Sequence, residues 1–205
     1  MHDPRSTLLE HNSGDWSGCF IRLNAGGLEQ ERCPTLLKVK DVDGVIQTCL
    51  TYENSGETHT MNLASLPFTM QVNAQGGWSL GPSSITPWTW VGELCVVRGP
   101  QRRRVIVRHG IQGLDGVVYV QERRGEHPEE VPLPRPLQCA SHPINDLTIW
   151  TPEPGVELLL DTRVRQSGDA TACGLRWHHP GGETHQIVRR YDAQGQMQPL
   201  SEAWP

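Results

Sequence analysis

Gly14-Asp15-Trp16-Ser17-Gly18-Cys19-Phe20-Ile21-Arg22-Leu23 is the stretch that decides how the chain folds. In an extended chain side chains alternate, so Trp16, Gly18, Phe20 and Arg22 share one face and Cys19, Ile21 and Leu23 the other. Both faces carry apolar groups, and either could point inward. Gly18 leaves room on its face for a bulky group to cross, as small residues do in tightly curved barrel strands.

Outward from this strand, turn signals punctuate the chain: Asn24-Ala25-Gly26-Gly27, Asp43-Gly44, Asn54-Ser55-Gly56, Gly99-Pro100, Asp115-Gly116 and Pro180-Gly181-Gly182 among them. Between the turns lie candidate strands at 36–42, 45–52, 68–72, 93–98, 103–109, 117–122, 147–151, 156–164, 173–178 and 185–191. Short strands at regular spacing, linked hairpin-fashion, predict an all-β, antiparallel up-and-down barrel of about eight to ten strands. Ser6 to His11 is the best helix signal, a short N-terminal turn capped by Ser6.

The chain of 205 residues is long enough to bury a core and reads as a single domain over 1–205. One connection, 126–145, breaks the strand rhythm with Pro128, Pro132, Pro134, Pro136 and Pro143; it reads as a lid over a barrel mouth or as an external belt. A net charge of -5 argues against nucleic-acid binding, which needs clustered positive charge. The basic runs Arg102-Arg103-Arg104, Arg123-Arg124 and Arg189-Arg190 read mostly as solvated strand faces. No apolar run approaches a membrane span, and Met1 to Asn12 lacks a secretory pattern, so a cytoplasmic protein is expected. The cysteines at 19, 33, 49, 95, 139 and 173 form no Cys-x-x-Cys pair and read as small buried thiols.

Strand 156–164 alternates Val156, Leu158, Leu160, Thr162 and Val164 with more polar residues, which places the even positions inward. His109 falls on the apolar face of its strand, where a hydrogen-bonded core histidine is commoner than a ligand. In 185–191, one of Arg189 and Arg190 must face the interior: Arg189 with Ile187 and Tyr191, or Arg190 with Val188. A buried guanidinium has to be paired or stacked. Arg22, Arg176 and His178 are further candidate interior groups, able to grip a ligand carboxylate or to form structural ion pairs. His178, His179 and His185 flank a turn without completing a metal-ligand set. No nucleophile elbow, P-loop or dinucleotide fingerprint is present.

Gly14-Asp15-Trp16 is similar to the Gly-x-Trp that opens the first strand of lipocalins. There the tryptophan plugs one barrel end beneath an arginine of the last strand, which implies Trp16 within roughly 6 Å of Arg189 or Arg190. The N-terminal block through Arg22 and the C-terminal Val188-Arg189-Arg190-Tyr191-Asp192 together resemble cyanobacterial lipocalin-like proteins of unassigned function, related to the S- and T-type phycobiliprotein chromophore lyases. The resemblance implies a calycin barrel that holds a linear tetrapyrrole (bilin) as chaperone or lyase, with phycobiliprotein subunits as partners. If the protein is an enzyme, it implies chromophore lyase activity. Ligand-binding residues carried over are Trp16, Phe20, Arg22, Arg189, Arg190 and Tyr191. Nitrobindin-like haem barrels share Gly-x-Trp-x-Gly, so haem is one alternative ligand. A fatty-acid or apocarotenoid carrier, and a barrel filled by its own tryptophans, are others.

Overall fold

Asp3 caps the first element, its carboxylate accepting the backbone N–H groups of Arg5 and Ser6 and starting helix α1 (Pro4–Asn12). The helix begins earlier than a Ser6 cap implies, because Asp3 supplies the oxygen and Pro4 suits a first turn. The computed structural model describes residues 3–125, 133–201 and 203–204.

Nine strands follow: β1 (Gly14–Asn24), β2 (Glu29–Val42), β3 (Val45–Tyr52), β4 (Thr58–Leu63), β5 (Gln71–Val72), β6 (Trp78–Leu80), β7 (Trp90–Arg98), β8 (Gln101–Gly110) and β9 (Gly113–Arg124). They form one antiparallel sheet in the order β4-β3-β2-β1-β9-β8-β7-β6-β5. Two meanders, β1–β4 and β5–β9, are thus stitched together along β1 and β9, with Trp16 opposite Arg124 and Asn24 opposite Gly116. A second antiparallel sheet holds β10 (Ala140–Ile144), β11 (Leu147–Glu153), β12 (Val156–Leu160), β13 (Thr171–His178) and β14 (Thr184–Tyr191) in chain order.

β1 lies inside the large sheet and is buried on both sides, which explains its two apolar faces. Ile21 and Leu23 join Leu94, Val96, Val105, Val107, Val117 and Tyr119 in a core shared with Val156, Leu158, Leu175 and Ile187 of the second sheet. Trp16 and Phe20 point the other way, into the curl of the nine-stranded sheet, with Leu37, Cys95 and Val97 around Trp16 and Val118 and Val120 around Phe20. Helix α1 lies in that curl: Leu8 packs on Ile46 and Val72, flanked by Leu63, Met70 and Trp78. The helix thereby joins the two ends of the sheet.

Two local readings change, and the choice between a lid and a belt is settled for part of the proline-rich connection. Of 68–72 only Gln71 and Val72 are strand, and Phe68 is 82% exposed. β12 ends at Leu160, leaving Val164 in solvent, because the buried Asp161 turns the chain: its carboxylate accepts from Arg163 and from Thr171 Oγ1 at 2.7 Å. Residues 126–132, including Pro128 and Pro132, lie outside the described residues. Beyond them the connection is a belt that ends in strand β10. Leu137 is buried, its N–H donates to Glu29 Oε2 at 2.6 Å and its carbonyl accepts from Glu29 N at 2.8 Å.

Candidate functional site

The curl of the large sheet holds a half-open cavity of about 230 Å³. Its walls are Leu37 and Val39 of β2, Ile46 and Leu50 of β3, Leu63 of β4 and Trp78 of β6, with Leu8 and Asn12 of α1 beside them. These positions fall there because period-2 alternation sends one face of each strand inward. Asn12 is buried at the helix end and organises the surroundings. It donates to Gly76 O at 2.9 Å, accepts Trp78 Nε1 at 3.1 Å through its side chain, and accepts Trp16 Nε1 at 2.9 Å through its carbonyl.

The charged part of the cavity wall comes from β7 and β8: Glu93, Arg102 and Arg104. Behind them Glu122 of β9 is wholly buried between the two arginines. Its carboxylate accepts from Arg102 Nε at 2.6 Å and from Arg104 Nε and Nη2, both at 2.8 Å. Arg104 Nη1 also reaches Glu93 at 2.6 Å. Burial alone would raise the Glu122 pKa, but the two guanidiniums and their hydrogen bonds outweigh it and hold it at about 2. Burial likewise works against charged Arg104, and Glu122 with Glu93 reverses that, so its pKa is raised. Gly18 makes the arrangement possible: a Cβ there would stand 2.4 Å from Glu122 Cγ.

Trp16 is covered by cations, but not by those of the last strand. Arg102 lies 4.1 Å and Arg124 5.0 Å from its ring centroid. The last strand belongs to the second sheet, on the far side of β1 from Trp16, so neither Arg189 nor Arg190 supplies this contact. The Arg102-Arg103-Arg104 run is therefore no solvated face, since all three residues are buried. Arg103, pointing to the opposite side, pairs with Glu153 at 2.6 Å and lies 4.3 Å from the Trp177 ring centroid. Sequence reasoning missed this network. Its available signal was two arginines at i and i+2, hence on one face of a strand, with Glu93 and Glu122 on neighbouring strand candidates.

The remaining expected site residues are dispersed. Phe20 is buried in the curl, under Arg104 at 5.2 Å and edge-on to Tyr52. Arg22 shares the face of Trp16 but lies beyond the enclosed part, exposed and ion-paired with Glu31 at 2.9 Å. It is a surface cation, not an interior one. Arg176 pairs with Glu157 and covers Trp204 at 4.2 Å, on the outer side of the second sheet, and His178 is exposed beside Thr184 at 2.9 Å. Arg190 also faces outward, donating to Ala203 O.

Arg189 is the inward arginine of β14, together with Ile187 and Tyr191. It is fully buried and bound by oxygens that carry no formal charge: Thr69 O at 2.9 Å, Gly81 O at 2.9 Å, Pro82 O at 2.8 Å and Tyr191 Oη at 2.7 Å. A Cβ on Gly81 would stand 2.8 Å from Arg189 Nε, so glycine admits the guanidinium. Tyr191 itself donates to Pro82 O at 2.9 Å. This pair straps the 69–82 segment to the second sheet and does not line the cavity.

His109 is buried on the opposite side of β8, stacked on Trp90 with ring centroids 4.3 Å apart. Contrary to a hydrogen-bonded core histidine, neither ring nitrogen has a partner among the described residues. Burial, with Asp161 opposing and Arg165 adding, lowers its pKa from 6.5 to about 4. The folded state resists protonating a group that the unfolded chain protonates below pH 6.5. Its contribution is therefore complete above pH 6.5 and lost as pH falls toward 4, worth about 3 kcal/mol over the window. Urea unfolding of wild type and His109→Phe at pH 7 and pH 4.5 should show a shallower acid loss in the variant. Equal losses in both would remove His109 from the account of acid stability.

Among the described residues, no group of three or more His, Cys, Asp or Glu side chains could hold a metal ion, and all six cysteines are free. No described helix is long and apolar enough to cross a membrane.

A curled antiparallel half-barrel, plugged by a short N-terminal helix and backed by a second sheet, defines an all-β lipocalin-like barrel protein. No family model matches the chain, and no curated protein matches it by sequence. Among solved structures, one from Nostoc punctiforme is similar over nearly its whole length: a protein of unknown function from the DUF3598 family. The TM-score is 0.79 at 15% identity, with 98% of this chain and 97% of that chain covered. At that identity the likeness concerns the fold.

Proposed function

We propose that the protein binds a small, mainly apolar molecule in the cavity beneath α1. The observation that carries this reading is the cavity itself: about 230 Å³, walled by aliphatic residues and Trp78, with its charges gathered on β7 and β8. A dry cavity of ~150 Å³ suffices for benzene, and drug-sized ligands occupy pockets of ~300–1,000 Å³. A single ring or a medium-length chain is the matching scale. This favours a fatty-acyl or short apocarotenoid ligand over a bilin or haem. The expected propionate partners are also elsewhere, with Arg22, Arg176 and Arg190 outside the cavity and Arg189 engaged with carbonyls. A filled barrel is opposed by the cavity volume.

Calorimetric titration with butylbenzene tests the reading. Leu50→Trp puts an indole into the cavity wall and should weaken binding at least about tenfold, by occupying space the ligand needs. The melting temperature should change little, since Leu50 is only partly buried. Unaltered affinity in a folded variant would place the ligand elsewhere.

A further inference from the structure

The cavity lining carries two cations, Arg102 and Arg104, with Glu93 beside them and Glu122 directly behind. Formal charge is balanced within this group. Arg104 is saturated along its fork, with Nε and Nη2 on Glu122 and Nη1 on Glu93. Arg102 is not. Its one hydrogen bond runs from Nε to Glu122, and its Nη2 is buried with no acceptor among the described residues. The residue is only 1% exposed, so that position is shielded from bulk solvent. A buried donor left without an acceptor is costly, while one new acceptor beside a cation is strongly favourable.

We infer that the cavity recognises apolar molecules bearing one uncharged hydrogen-bond acceptor, a ketone, aldehyde or ester carbonyl, seated on Arg102 Nη2. This deepens the proposed function and rests on the cavity being a ligand site. The choice of a neutral head over a carboxylate follows from the charge balance. An anion added among two arginines already matched by two carboxylates brings its own desolvation cost and repulsion from Glu93 and Glu122. A carbonyl accepts from Arg102 Nη2 without altering the balance. The apolar remainder of the molecule then lies against Leu37, Val39, Leu50 and Trp78.

The test compares probes on the intact chain at pH 8. Undecan-2-one and decanoate share the same nine-carbon tail and carbonyl, differing by a methyl group in place of the anionic oxygen; butylbenzene has no acceptor. The ketone should bind at least about tenfold more tightly than decanoate, because the anion adds a desolvation cost and repulsion from Glu93 and Glu122 that the ketone does not. Bound undecan-2-one labelled with carbon-13 at the carbonyl should show its C=O stretch below the frequency in hexane. Arg102→Lys keeps the charge opposite Glu122 but removes Nη2. It should lose the frequency shift and lose at least about tenfold more affinity for the ketone than for butylbenzene. Tighter binding of decanoate, or a ketone bound with no shift, overturns the neutral-head assignment even if the variant does not fold. Failure of all three probes, butylbenzene included, overturns the cavity reading beneath it.

Discussion

Glu122→Ala is expected to destabilise the fold by about 3–5 kcal/mol, the range for removing one partner of a buried ion pair. Here the loss leaves Arg102 with no anion and Arg104 with only the partly exposed Glu93. Glu122→Gln preserves shape and should still cost much of this, because the cations remain uncompensated. The same group makes the fold sensitive to strong acid. Its pKa is depressed from 4.5 to about 2, so its contribution is complete above pH 4.5 and disappears as pH falls toward 2. Equilibrium urea unfolding at pH 7 and at pH 3 checks both effects. A Glu122→Gln protein within about 1 kcal/mol of wild type at pH 7 would mean that the buried network contributes no net stability.

Arg189→Met comes next, at about 3–5 kcal/mol. The methionine fills much of the volume, but the carbonyls of Thr69, Gly81 and Pro82 lose their shared donor, at about 1–3 kcal/mol for each group left unsatisfied. Tyr191 can re-satisfy only Pro82, to which it already donates. Arg189→Lys should recover part of the loss, since an ammonium reaches some of these oxygens but cannot span them all. Hydrogen exchange should locate the effect: amides of β5 and β6 lose protection first, because this strap holds their segment to the second sheet. A loss spread evenly over both sheets, or stability unchanged by Arg189→Met, would contradict a strapping role.

These two sites show where sequence reading succeeds. Val188-Arg189-Arg190-Tyr191 requires one inward arginine in either register, and β14 turns Arg189 inward alongside Ile187 and Tyr191. What binds it was invisible, because its partners are backbone carbonyls more than a hundred residues away, and a carbonyl carries no sequence signature. Glu122 was hidden for a related reason. Its position follows from the pairing of β9 with both β1 and β8, in which Glu122 stands opposite Gly18 and Arg102. Arg22 errs the other way. Alternation assigned its face correctly, but how far the cavity extends along that face depends on sheet curvature and on where α1 packs.

The sequence by itself determined the all-β class, the strand-and-turn rhythm, the N-terminal helical turn and the burial of Trp16 as an aromatic at a strand start. These are short-range properties, set by alternation, turn chemistry and the cost of exposing an indole. The tertiary structure alone decided that the strands divide into two sheets, that β1 pairs with β9, and that the cation over Trp16 comes from β8 and β9. It also decided that the cavity lies beneath α1, bordered by Arg102 and Arg104. Those outcomes rest on pairings between strands distant in the chain, and a period-2 pattern says which face a residue takes but not which strand it will meet.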